Sequence, residues 1–98
     1  MSEAKKGYWL VMLTVTDPDG YKAYVEAIGD ATSRFGARYL VRGGQHEHPE
    51  DPGFSRHVVV EFESYAAALE CYRSAKYQAA AKLRQAASTG HFAIVEGA

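Results

Sequence analysis

Arg38 and Arg42 stand four residues apart in a stretch of β character, Ala37-Arg38-Tyr39-Leu40-Val41-Arg42. On one strand face they lie about 13 Å apart, at about 3.3 Å per residue. A face carrying both guanidiniums attracts a carboxylate or a phenolate. The structural alternative is that they pair with Glu61 or with acidic groups of a second chain, as buried arginines usually do. His57 and Glu61 share a face of a later strand, and a histidine near neutrality beside a carboxylate suits the roles of base and orienting partner. Their backbones also lie about 13 Å apart, so the alternative is a hydrogen-bonded interior histidine. Tyr77 and Arg84 form a helical stripe with Ala81 and Ser88, about 10 Å apart along the axis. They present a hydroxyl and a cation to a ligand, or else Arg84 stacks on an aromatic ring or caps a carbonyl end.

His46-Glu47-His48 places alternate histidines on one side of an extended segment. Two ligands do not make a site, and no further histidine or cysteine follows at a motif-like spacing, so no metal is expected and the segment reads as a solvated loop. Cys71, the single cysteine, reads as a half-buried small apolar residue on a helix. No Ser-His-Asp or Cys-His arrangement supports nucleophilic catalysis, so no catalytic residue is assigned and no cofactor is expected.

These residues need elements to position them, and 98 residues provide one domain. A net charge of −1 argues against a nucleic-acid partner. One cysteine excludes a disulfide framework, and no apolar run reaches the roughly 20 residues that span a bilayer. No apolar region of signal-peptide length precedes the first strand, so a cytoplasmic protein is expected. Residues 1–7 are polar and expected to fray, leaving a domain over residues 8–98.

Tyr8 to Val15 is a strand with two apolar faces: Trp9, Val11, Leu13 and Val15 on one, Tyr8, Leu10, Met12 and Thr14 on the other. Such a strand requires cover on both sides. Asp17-Pro18 caps and starts a helix whose apolar set is Tyr21, Tyr24, Val25, Ile28, Ala31 and Phe35, and Gly36 ends it. The second strand, Ala37 to Arg42, sends Tyr39 and Val41 one way and Arg38, Leu40 and Arg42 the other; Gly43-Gly44 ends it or bulges it. After an exposed loop over residues 45–54, Arg56 to Phe62 is a third strand. Ser64 caps a short helix, Tyr65 to Arg73, and Ser74 a second one to about Ala87. That last helix carries the apolar stripe Ala75, Ala79, Ala80, Leu83, Ala86 and Ala87. Ser88-Thr89-Gly90 breaks it, and Phe92 to Val95 is a short final strand.

The order is that of an α+β, ferredoxin-like βαββαβ sandwich with a four-stranded antiparallel sheet. Helices cover one face. The other bears Leu10, Met12, Leu40 and Val59, a patch too apolar for water, and two such sheets facing each other bury it in a twofold homodimer. The RNA-recognition fold shares this order, but Ser55 to Phe62 lacks its glycine and places valines where rings should stack.

Phe35 to Gly44, Arg56 to Phe62, Tyr77-Gln78 with Leu83-Arg84, and Val95-Glu96-Gly97 together resemble a bacterial family of unknown function, DUF1330, within the dimeric α+β barrel superfamily. The resemblance covers roughly residues 8–97. It implies a ferredoxin-like protomer, a sheet-to-sheet dimer (the dimeric α+β barrel) and no assigned reaction. Superfamily relatives include cofactor-free monooxygenases, lactone isomerases, haem-handling enzymes and stress-induced proteins, and fold does not choose among them.

Two functions follow. The first is a small-molecule protein for an acidic or phenolic ligand, with Tyr8, Arg38, Arg42, His57, Glu61, Tyr77 and Arg84 as its polar lining. As an enzyme it would run proton transfer or cofactor-free oxygenase- or isomerase-type chemistry. The second is a noncatalytic, structural or stress-related homodimer whose interior polar groups set pairing register.

Overall fold

Side-chain alternation along β1 (Gly7–Val15) sorts the layers of the structure, a computed structural model that describes residues 5–98. Trp9, Val11 and Leu13 are buried beneath helices, while Leu10 and Met12 on the opposite face are 39% and 41% exposed. The chain continues through α1 (Pro18–Ser33), β2 (Arg38–Arg42), β3 (Arg56–Phe62), α2 (Tyr65–Arg73), α3 (Ala75–Ala87) and β4 (Ser88–Glu96). The strands form one antiparallel sheet in the order β2-β3-β1-β4, the four-stranded α+β sandwich expected of a ferredoxin-like chain. Among the described residues no helix is long and apolar enough to cross a membrane.

The helix starts follow their caps. Asp17 accepts from the Gly20 N–H at 3.2 Å, Ser64 from Ala67 at 3.0 Å and Ser74 from Tyr77 at 3.2 Å. Gly36, at φ +68°, follows the end of α1. Tyr21, Tyr24, Ile28 and Ala31 are buried as expected, but Val25 is exposed and Phe35 lies beyond the helix, partly buried.

Trp9 is the centre of the core. Its ring centroid lies 4.9 Å from Phe62, 4.8 Å from Tyr77 and 5.1 Å from Phe92. Its indole N–H donates to the Ala68 carbonyl of α2 at 3.0 Å. Cys71 is buried nearby, its thiol directed at the Ala31 carbonyl and pushed up to about 12 by burial.

Four expectations are corrected. Residues 1–4 of the expected frayed segment lie outside the described residues, but Gly7 already pairs with Phe62 and Glu96, and the Lys6 carbonyl accepts from Gly97 at 2.7 Å. β4 begins at Ser88, not Phe92, because β1 offers nine residues and pairs along its whole length, from Gly7↔Glu96 to Val15↔Ser88. The third is α3, which is turned from its alanine stripe: Tyr77, Ala80, Ala81, Arg84 and Ala87 are buried, while Ala75, Ala79, Leu83 and Ala86 are exposed. One tyrosine packed against Trp9 outweighs several alanine methyls in buried area, so it sets the helix rotation.

The fourth correction is in β2. A register irregularity between Tyr39 and Val41 sets Val41 opposite Val59 and Arg42 opposite Val58. Arg42 therefore belongs to the helix-covered face and Val41 to the open one, the reverse of strict alternation. Arg38 and Arg42 do not share a face, so the expected paired-arginine cavity does not form.

Truncating the central ring tests this packing. Trp9→Ala should cost about 3–5 kcal/mol, the range for a buried large aromatic, plus an orphaned Ala68 carbonyl. Urea denaturation followed by circular dichroism measures it; a loss under about 1 kcal/mol would mean that the ring does not organise the core.

Candidate functional site

β3 presents His57, Val59 and Glu61 on the open face, opposite Met12, Leu10 and Tyr8 of β1. The three cross-strand rows differ in character. In the first, Glu61 accepts from the Tyr8 hydroxyl at 2.9 Å and lies 3.8 Å from the Arg38 guanidinium. The hydrogen bond to Glu61 is the main reason that the Tyr8 phenol is held above its usual range. Arg38 thus follows its structural alternative, pairing with Glu61, and with a side chain 76% exposed the pair is weak. The middle row is apolar: Val41, Val59, Leu10 and Ala93.

The third row leads to a cluster that the spacing of the histidines did not predict. Gly43, at φ +63°, donates its N–H to the His57 carbonyl at 2.8 Å and closes the β2–β3 ladder. A left-handed residue there turns the following chain back towards β3. His46 and His48 consequently meet His57, with ring centroids 4.7 Å (His46–His57), 5.1 Å (His48–His57) and 5.3 Å (His46–His48) apart. One ring nitrogen from each lies within 4.8 Å of the others. Gly53 lies so close to the His48 ring that a Cβ would overlap it, so that position must be glycine for the ring to sit where it does. The residues expected as a solvated loop and a metal-free segment are therefore one side of a three-histidine cluster. A β-hairpin brings loop residues back over its own strand, which linear spacing between ligands does not display.

The outer histidines are each tied to a backbone carbonyl: His46 Nδ1 lies 3.2 Å from Gly44 O, and His48 Nε2 lies 3.0 Å from Phe54 O. His57 Nδ1 is buried without a hydrogen-bond partner among the described residues. Burial first, and then the neighbouring His46 and His48, lower the pKa of His57 from its ordinary 6.5. Its expected partner Glu61 is engaged with Tyr8 and Arg38 instead, so no His57–Glu61 pair forms. The cluster borders an open depression lined by Gly43, Gly44, Gln45, His46 and Glu47.

The remaining expected lining residues lie elsewhere. Tyr77 is fully buried, its hydroxyl 3.0 Å from that of Tyr24, and burial raises both phenols above their usual value. Arg84 is 8% exposed and stacks over Phe92 at 5.0 Å, the aromatic alternative considered for it. Arg42 stacks over Tyr39 at 3.8 Å and Arg56 donates to the Tyr21 hydroxyl at 3.0 Å. Both border a cleft with Tyr21, Tyr24, Tyr39 and Val58 that encloses only about 30 Å³, room for a water and not for an organic acid. A ligand site between helices and sheet is not formed there.

Residues 6–98 match the family described as Domain of unknown function (DUF1330). The RPA0582 protein of unknown function from Rhodopseudomonas palustris is similar in structure, with a TM-score of 0.77 at 21% identity, covering 98% of this chain and 85% of that one. The methylated form of RPA0582 gives 0.76 at 22% identity, over 98% and 83%. SnoaB, a cofactor-independent oxygenase from Streptomyces nogalater, gives 0.65 at 14% identity, over 94% and 92%. At these identities the likeness establishes the fold alone. No curated protein matches the sequence.

The lowered His57 pKa has a signed consequence for stability. Above its ordinary 6.5 the folded and unfolded chains both carry a neutral imidazole, and the stabilisation is complete. As pH falls below 6.5 the unfolded chain takes up a proton that the folded site resists, so stability declines down to the folded pKa. With a chelator present, NMR titration of the imidazole should place His57 below 6.5, and His57→Gln should flatten the pH dependence of unfolding in that window. A His57 midpoint at or above 6.5 would contradict the assigned environment.

Proposed function

Because the chain belongs to the DUF1330 family, whose description assigns no reaction, we propose its function from its own open sheet face: two copies close sheet to sheet and the enclosed face receives a small acidic or phenolic molecule. One observation carries this reading. The face uncovered by helices is apolar through its middle and polar at both ends, with Leu10, Met12 and Val41 about two-fifths exposed between the Tyr8–Glu61–Arg38 row and the histidines. An apolar patch of that kind favours association, and a pocket with apolar walls and a few placed polar groups is the usual form of a small-molecule site. Of the seven residues expected to line the ligand, Tyr8, Arg38, His57 and Glu61 belong to this face. The enzymatic form of the reading is proton transfer or cofactor-free oxygen chemistry, by analogy of fold with the cofactor-independent oxygenase alone.

A second reading is favoured by one contact. Glu61 is already bonded to Tyr8 and paired with Arg38, so the polar row is satisfied without a ligand and serves a noncatalytic homodimer by fixing its register.

Two measurements separate the outcomes. Sedimentation at micromolar concentration should show a dimer, and Leu10→Asp, which places a charge in mid-face and leaves the core intact, should give a folded monomer. A lone compact species for the unmodified chain would overturn the assembly. A thermal-shift screen with small carboxylic and phenolic acids should find a saturable rise in melting temperature, about 2.7 kcal/mol of stabilisation at a hundredfold excess over Kd. The rise should vanish in Leu10→Asp. A dimer that no acid stabilises supports the noncatalytic reading.

A further inference from the structure

We propose that His46, His48 and His57 form a binding site for a divalent late transition-metal ion, with zinc(II) as the test ion. The imidazoles come from two separate segments, loop and strand, yet offer nitrogens within 4.8 Å of one another. Imidazole is a favoured ligand of such ions, and three of them with one open position is the pattern of zinc sites that act on a further ligand.

The hydrogen bonds around the cluster assign the free lone pairs. A backbone carbonyl only accepts, so His46 Nδ1 and His48 Nε2 must carry the protons that they direct at Gly44 O and Phe54 O. His46 Nε2 and His48 Nδ1 are thereby left as acceptors, each held by a second-shell bond of the kind that orients metal-ligating histidines. His57 adds an imidazole whose Nδ1 is buried and has no hydrogen-bond partner among the described residues. Packing three imidazoles together gains nothing for an apolar core; an ion that draws on their lone pairs accounts for the convergence.

The geometry is close to that of a bound site. Nitrogens at about 2.0–2.1 Å from zinc in a tetrahedron lie about 3.3–3.4 Å apart. Closing from 4.8 Å requires ring movements of about an ångström, which the two loop-borne histidines can supply while the strand holds His57. All three ligands belong to one chain, so the site does not depend on the dimer or on an organic ligand.

The test uses the 98-residue chain without a histidine tag, stripped with chelator and titrated with zinc chloride by calorimetry. One ion per chain should bind, and cobalt(II) should give the intense visible absorption of a four-coordinate site. His46→Ala and His48→Ala, both at exposed loop positions, should each weaken binding at least tenfold without altering the circular dichroism spectrum. Gly53→Ala should weaken it by displacing the His48 ring, whereas His91→Ala should leave it unchanged. Leu10→Asp should bind as the unmodified chain does, which separates failure of the assembly from failure of this site. Absence of saturable binding, or binding that survives loss of both His46 and His48, would overturn the assignment.

Discussion

The indole of Trp9 governs which way the sheet faces. Held on one side by the Ala68 carbonyl and surrounded by Phe62, Tyr77 and Phe92, it commits the odd positions of β1 to the helices. The pleat then commits the even positions to the opposite side, and pairing with β3 and β4 extends that choice across the sheet. A slip of one residue would bury Tyr8, Leu10 and Met12 and expose the tryptophan. The open face is thus as strongly determined as the core.

Against that regular background the β2–β3 hairpin is where the chain departs from simple alternation. The irregularity after Tyr39 turns Arg42 to the helix side of the sheet, where the Tyr39 ring receives its cation, and leaves Arg38 alone to meet Glu61. Gly43 then redirects the loop so that His46 and His48 return to His57. Two backbone features separate two arginines that looked paired and join three histidines that looked unrelated.

What was legible in the sequence was local chemistry. Asp17, Ser64 and Ser74 cap their helices, Gly36 takes the left-handed conformation, and the two apolar faces of β1 fall on opposite sides. What was not legible depended on partners distant in the chain. The rotation of α3 follows from Tyr77 meeting Trp9, a contact 68 positions apart in sequence that no alanine count reveals. Ser88-Thr89-Gly90 reads as a breaker, yet β1 supplies a partner for every one of these residues. Strand alternation puts Tyr8, Arg38, His57 and Glu61 on one face, and they lie there; the bulge after Tyr39 moves Arg42 off it, while Tyr77 and Arg84 share one buried helix face, where Arg84 takes the aromatic-stacking alternative.

Cys71 offers a practical corollary. With its thiol buried and pushed up to about 12, Cys71 is held as the neutral thiol at neutral pH, and its sulfur is shielded by the core. The native chain is therefore chemically silent towards maleimides and mild oxidants. A cysteine placed anywhere on its exterior becomes the sole handle for a fluorophore or spin label, with no need to engineer the resident one away.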